Sequence, residues 1–200
     1  MRLDKLRRIG AALDADLVVT LRWRGGEIDR LMDEGHAAIV GWVMDLLAQL
    51  GWEAQAEVTY AARGERGAID VLAWHAPSRT LLVVEVKSEL TSVEETLRRH
   101  DAKQRIAAEV AAERFGWGVP SAVCRLLVLP DSSTARRRVE RHAAVLDHAY
   151  RLRGPAARGW LKRPAGAASA LVFAPLTRGV RNGRGSFSGR RVRRQRSGVA

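Results

Sequence analysis

The chain has one cysteine, Cys124, in 200 residues. A single thiol builds no disulfide framework and no cysteine-based zinc site. It lies in the apolar run AVCRLLVL and reads as a small buried hydrophobe. No apolar stretch approaches the length needed to cross a bilayer. The opening, MRLDKLRRIG, is too charged for the apolar segment of a secretory signal. These absences exclude membrane and secreted classes and lead to the expectation of a cytoplasmic protein. The five histidines (His36, His75, His100, His142 and His148) include no helical i, i+4 metal pair. There is no internal repeat. The glycine-rich stretch 183–189 follows no predicted strand and opens no helix, so it is not read as a phosphate loop.

Acidic residues are also missing from one part of the chain, since none follows Asp147. Thirteen Arg or Lys residues do, from Arg151 to Arg196, within a net charge of +12. Residues 1–147 therefore carry a net −1, and the basic character belongs to the C-terminal quarter. A basic tail can hold phosphates without sequence preference; a solvated tail without a dedicated partner is the alternative reading. The apolar fraction of 46% is ordinary for a globular chain with a sizeable core. The Ala/Arg/Gly/Val bias points to a GC-rich bacterial genome.

Apolar spacing predicts a helix over residues 3–13 and a strand over 17–23. A long helix follows over 27–50, stopped by Gly51. Its sheet-facing stripe is Met32, His36, Ile39, Val40, Val43 and Leu47. Strands are predicted at 53–60, 68–75 and 80–88, with the last two joined by a hairpin at 76–79. Ser92-Val93-Glu94-Glu95 is a capping-box pattern opening a helix to Phe115, ended by Gly116. A fourth strand is expected at 122–129 and a helix at 134–149, with a further strand at 170–174 left open. Hairpins make the first three strands antiparallel, and the helix before the fourth allows a parallel crossover. The fold class is thus α/β, a mixed four-stranded sheet with flanking helices.

The third predicted strand is apolar on both faces until Glu85, as befits a strand covered on both sides. A carboxylate and then Lys87 are unexpected there unless paired or functional. A turn centred between Pro77 and Ser78 sets Asp70 directly opposite Glu85, with Cβ atoms about 4.5–5.5 Å apart. Lys87, two residues on, shares that face. Two such close carboxylates repel, which raises one pKa. A hard divalent cation, Mg²⁺ or Mn²⁺, relieves the repulsion. It can also lower the pKa of a bound water and stabilise charge on phosphorus, with the lysine orienting the water or the phosphate. Asp70 and Glu85 are the candidate metal ligands. The plain alternative is an ion pair at a sheet edge, worth little to stability. An acid-x-Lys triplet alone means little, and Asp101-Ala102-Lys103 is a second one on a predicted helix.

Gly67-Ala68-Ile69-Asp70 and Val84-Glu85-Val86-Lys87, with the element order αβββαβ over residues 27–130, resemble the PD-(D/E)xK nuclease superfamily. The resemblance implies a restriction-endonuclease-like core and metal-dependent hydrolysis of DNA by Asp70, Glu85 and Lys87. Such nucleases often carry an acid in the first core helix. Here that stripe offers His36 instead, while Glu34 lies off it. They also often supply a Lys or Gln from the helix after the acid-x-Lys strand. Lys103 and Gln104 are the candidate equivalents, and Gln104 is taken into the site.

Residues 3–25, LDKLRRIGAALDADLVVTLRWRG, resemble the end of a Xre/Cro-type helix-turn-helix domain. The recognition helix of such a domain is not in the sequence, so no helix-turn-helix binding is expected. An ordinary amphipathic helix and strand packed on the main domain is the alternative. The expected organisation is a helix-strand remnant over 1–25, a nuclease-like domain over 26–150, an extension over 151–176 and a basic disordered tail over 177–200. The expected function is a Mg²⁺- or Mn²⁺-dependent DNA endonuclease. The alternative is a catalytically idle nuclease-fold module of a DNA-binding regulator. DNA is the expected partner, with a second copy of the chain as another.

Overall fold

The structure is a computed structural model that describes residues 26–62 and 64–175. The predicted helix at 3–13, strand at 17–23 and tail at 177–200 lie outside the described residues.

The first helix, α1 (Gly26–Gln49), buries Ile39, Val40, Val43 and Leu47. It stops where expected. Gly51 takes a left-handed φ of 79°, and the amides of Leu50 and Trp52 both donate to the Leu47 carbonyl. Three strands follow: β1 (Glu53–Ala62), β2 (Glu65–His75) and β3 (Thr80–Val86). The β2–β3 turn is a short 3₁₀ segment, Ala76–Ser78, closed by Arg79 at φ 50°. It sets Val71 opposite Val84 and His75 opposite Thr80, the register read from the sequence. Every residue of β3 is buried.

Helix α2 (Val93–Phe115) is capped by Ser92, whose Oγ accepts the Glu95 amide at 3.2 Å. The return half of the capping box is diverted, because the Glu95 carboxylate binds Arg98 and Arg99. Strand β4 (Ala122–Pro130) runs parallel to β3, with Val84 against Leu126.

Two features correct the sequence reading. The single helix expected at 134–149 is two, α3 (Ser133–Arg141) and α4 (Ala143–Ala149). The break at His142 separates a charged segment that buries only Ala135 from one that turns Leu146 into the core. The sheet has six strands, not four, in the order β1-β2-β3-β4-β6-β5. The strand left open at 170–174 is present as β6 (Ser169–Ala174), and the unexpected addition is β5 (Leu152–Arg153), joined to it by helix α5 (Gly154–Lys162). Both β4–β6 and β5–β6 pair in parallel. Residues 152–174 of the expected extension therefore complete the sheet.

The faces divide cleanly. Helices α1 and α5 cover one, packing Val43, Leu47 and Leu161 on Val71, Leu82, Val84 and Leu126. Helix α2 covers the other over β2 and β3, packing Ile106, Ala107 and Val110 on Leu72, Leu81 and Val83. Beside it, α3 and α4 bring Ala135 and Leu146 over Leu127, Leu129 and Leu171. Cys124 is buried in the first core, as expected, and burial pushes its thiol pKa up.

One irregularity positions the site. The β1–β2 pairing runs from Ala56–Val71 to Val58–Ile69 and skips Glu57 and Asp70. Glu57 is left-handed at φ 50°, which costs a non-glycine residue about 1 kcal/mol. Side-chain alternation changes phase here. Val71 packs on the α1 side, whereas Val58 and Ile69 join the α2 side. Asp70 stands at this dislocation, a kind of distortion that re-aims a side chain out of the regular pleat.

Candidate functional site

Glu85 is the penultimate residue of β3 and faces α2, with Lys87 just beyond the strand end. Because β3 and β4 are parallel, this is the end of the sheet where α/β folds place ligands. The described pairing of β2 with β3 ends at Val71–Val84, and the Asp70 carboxylate takes over there. Its Oδ2 accepts the Val86 amide at 2.6 Å. The ion pair of Lys87 with Glu85 weighed in the sequence is present, but on an interior strand, since β3 lies third of six and Glu85 is 1% exposed.

The two acids meet through a lysine from α2. Lys103 Nζ lies 3.0 Å from Asp70 Oδ1 and 2.5 Å from Glu85 Oε2. Lys87 Nζ holds the other Glu85 oxygen at 2.8 Å. The expected rise in one carboxyl pKa is overturned at Glu85. Burial pushes it up, but the ammonium of Lys103, helped by that of Lys87, outweighs burial and leaves it below the usual value. Burial would likewise depress Lys103, yet the Asp70 and Glu85 carboxylates raise it. Both groups are charged at neutral pH.

Asp70, Glu85, Lys87 and Lys103 share the wall of an open cleft of about 620 Å³. Arg66, Arg98, Arg99 and Arg105 line it too, with Tyr60 and Gly67. The chain sums to a basic tail and a nearly neutral body, but the structure gathers four arginines beside the acids. Gly67 lets the Tyr60 ring lie against this wall, since a Cβ there would stand 2.7 Å from Tyr60 Oη and push the ring aside.

The structure brings together Asp70, Glu85 and Lys87 but not His36 or Gln104. His36 sits 3.6 Å from the Glu57 carboxylate, away from the residues lining the cleft. Gln104 points toward β4, where its amide nitrogen donates to the Val123 carbonyl at 2.7 Å. The α2 residue at the site is its neighbour Lys103. The signal was the helix period: Thr96, His100, Lys103, Ile106, Ala107 and Val110 form the buried stripe, and Gln104 lies off it. Asp101, of the second acid-x-Lys triplet, pairs instead with Arg125.

Behind the site lies His100, fully buried, a role unread in the sequence. Its Nε2 donates to the Val83 carbonyl at 3.1 Å, so Nδ1 accepts the Tyr150 hydroxyl at 2.8 Å. Burial lowers its pKa to about 4. His75 is half-buried, with Nδ1 2.8 Å from Ser78 Oγ. On α3, Arg136 and Arg138 pair with Asp131 and Glu89.

The donor chemistry at Asp70 and Glu85 fits a hard divalent cation: two carboxylates share one cation position beside a polar cleft. Among the described residues, no group of three or more His, Cys, Asp or Glu gathers to hold a metal. No helix among them is long and apolar enough to cross a membrane. Comparison with protein-family models and with curated proteins finds no match.

Proposed function

We propose that this chain is a metal-dependent DNA endonuclease of the PD-(D/E)xK type, with a restriction-endonuclease-like core. The observation that carries the reading is the convergence of Asp70 and Glu85 on one cation position at the end of β3, with Lys87 at 2.8 Å from Glu85. The order α1-β1-β2-β3-α2-β4 supports the core assignment. Arginines on the cleft supply the cations that a DNA backbone calls for.

In this mechanism Asp70 and Glu85 would hold Mg²⁺ or Mn²⁺, which would supply acidification of water and stabilisation of charge on phosphorus. The Val86 amide fixes Asp70, and Lys87 anchors Glu85. Lys87, 30% exposed and bonded to one Glu85 oxygen, is the lysine that can also reach water or a phosphate oxygen in the cleft. Arg66, Arg98, Arg99 and Arg105 seat the backbone.

A second reading, an idle nuclease-fold module of a DNA-binding regulator, is favoured by Lys103. Its ammonium already neutralises the carboxylate pair, as an inert ion cluster would. Cleavage of linear, supercoiled and branched DNA with Mg²⁺ or Mn²⁺ separates the two. The endonuclease cuts, and Asp70→Asn and Glu85→Gln do not. Cutting unaffected by both substitutions would refute the proposed site, and DNA binding without cutting would favour the second reading.

A further inference from the structure

Two carboxylates and two ammonium groups make the cluster neutral as it stands. Lys103 is the cation that touches both acids. A divalent ion on the same oxygens would face that ammonium at close range, where Glu85 is 1% exposed. Like charges that close in poorly solvated surroundings repel strongly. Lys103 in its present position and a divalent ion therefore exclude each other.

We propose that Lys103 is a tethered counter-ion that keeps the carboxylate pair closed to metal and yields when a DNA phosphate draws its ammonium into the arginine-lined cleft. Metal and DNA binding are then coupled. The proposal rests on the phosphodiesterase reading of the same site. Three observations support it. Lys103 lines the cleft as well as the acid pair, so a change of rotamer carries its ammonium from one to the other. Asp70 stays fixed without it through the Val86 amide. Glu85 stays fixed through Lys87.

Coupling between two ligands is reciprocal and vanishes with the element that transmits it. Calorimetric titration of the full chain with Mn²⁺, with and without a cleavage-resistant phosphorothioate duplex, tests this in wild type, Lys103→Met and Lys103→Gln. Without DNA, both variants should bind Mn²⁺ at least about tenfold more tightly than wild type. The duplex should tighten Mn²⁺ binding to wild type and leave the variants unchanged. In chelator, Lys103→Met should melt below wild type and regain its melting temperature with Mn²⁺. If it does not fold, Lys103→Gln, which keeps a hydrogen-bond donor, carries the comparison. Equal Mn²⁺ affinity in all three proteins, or no effect of the duplex on wild type, overturns the coupling alone. No Mn²⁺ binding by any of them overturns the metal site and the phosphodiesterase reading with it.

Discussion

Asp70 Oδ2 accepts the Val86 amide at 2.6 Å, just where β2 and β3 stop pairing. A side chain thus satisfies a donor that the sheet ladder leaves open, and the same carboxylate turns its other oxygen to Lys103. Asp70→Asn keeps an acceptor for that amide and should unfold within about 1 kcal/mol of wild type in urea. Asp70→Ala leaves the buried amide unpaired and should cost about 2 kcal/mol. DNA cleavage should fall at least about a hundredfold in both, so stability and activity separate at this residue.

Glu85 pairs with two ammonium groups while almost wholly buried. Removing one partner of a buried ion cluster strands the others, at about 3–5 kcal/mol. Glu85→Ala should lose that much in urea unfolding, more than Asp70→Ala. The lowered Glu85 pKa gives the cluster a pH signature. A depressed carboxyl stabilises the fold above its unfolded pKa of 4.5, and that contribution disappears as pH falls through the folded value. Glu85→Gln should flatten the decline below pH 4.5.

Lys87 is only partly buried and bonds one oxygen of Glu85. Lys87→Ala should change stability by about 1 kcal/mol or less. Single-turnover cleavage should nevertheless slow by about 10²–10⁴-fold, the range for a group that positions a proton or a nucleophile.

The cleft arginines make a salt-dependent prediction. Arg66→Ala and Arg105→Ala should each weaken duplex binding whatever the sequence. Each should also lower the slope of log affinity against log salt by about 1, measured by fluorescence anisotropy.

His100 makes a second pH prediction. Its folded pKa of about 4 lies below its ordinary 6.5. Between those values the unfolded chain holds a proton that the folded chain does not, so stability falls as pH drops through the window. The difference amounts to about 3 kcal/mol. Urea midpoints between pH 7 and pH 4 should show this loss in wild type, and His100→Gln should lack it.

Much of the site was legible in the sequence. The hairpin at Ala76–Arg79 is short enough to fix register, and register alone put Asp70 near Glu85. Lys103 was harder, because a buried lysine reads as polar in any pattern and Gln104 beside it looked equally suited. What separates them is the face, which His100 and Ala107 define only if a histidine is allowed to be core. The cleft arginines escaped because they come from β2 and α2, and net charge along the chain does not record which residues fold together. Helix α5 escaped for a thinner reason. It buries only Ala157 and Leu161, too few apolar positions to show a period, so neither it nor the two-residue edge strand β5 was expected.

Cleavage of supercoiled plasmid in Mn²⁺ by wild type and by Glu85→Gln, followed under single-turnover conditions, tests the central claim most directly. Wild type should nick and linearise the plasmid, and Glu85→Gln, folded by circular dichroism, should leave it intact. Equal rates for the two proteins, or no cutting by wild type, would contradict the assignment of Asp70 and Glu85 as a phosphodiesterase centre.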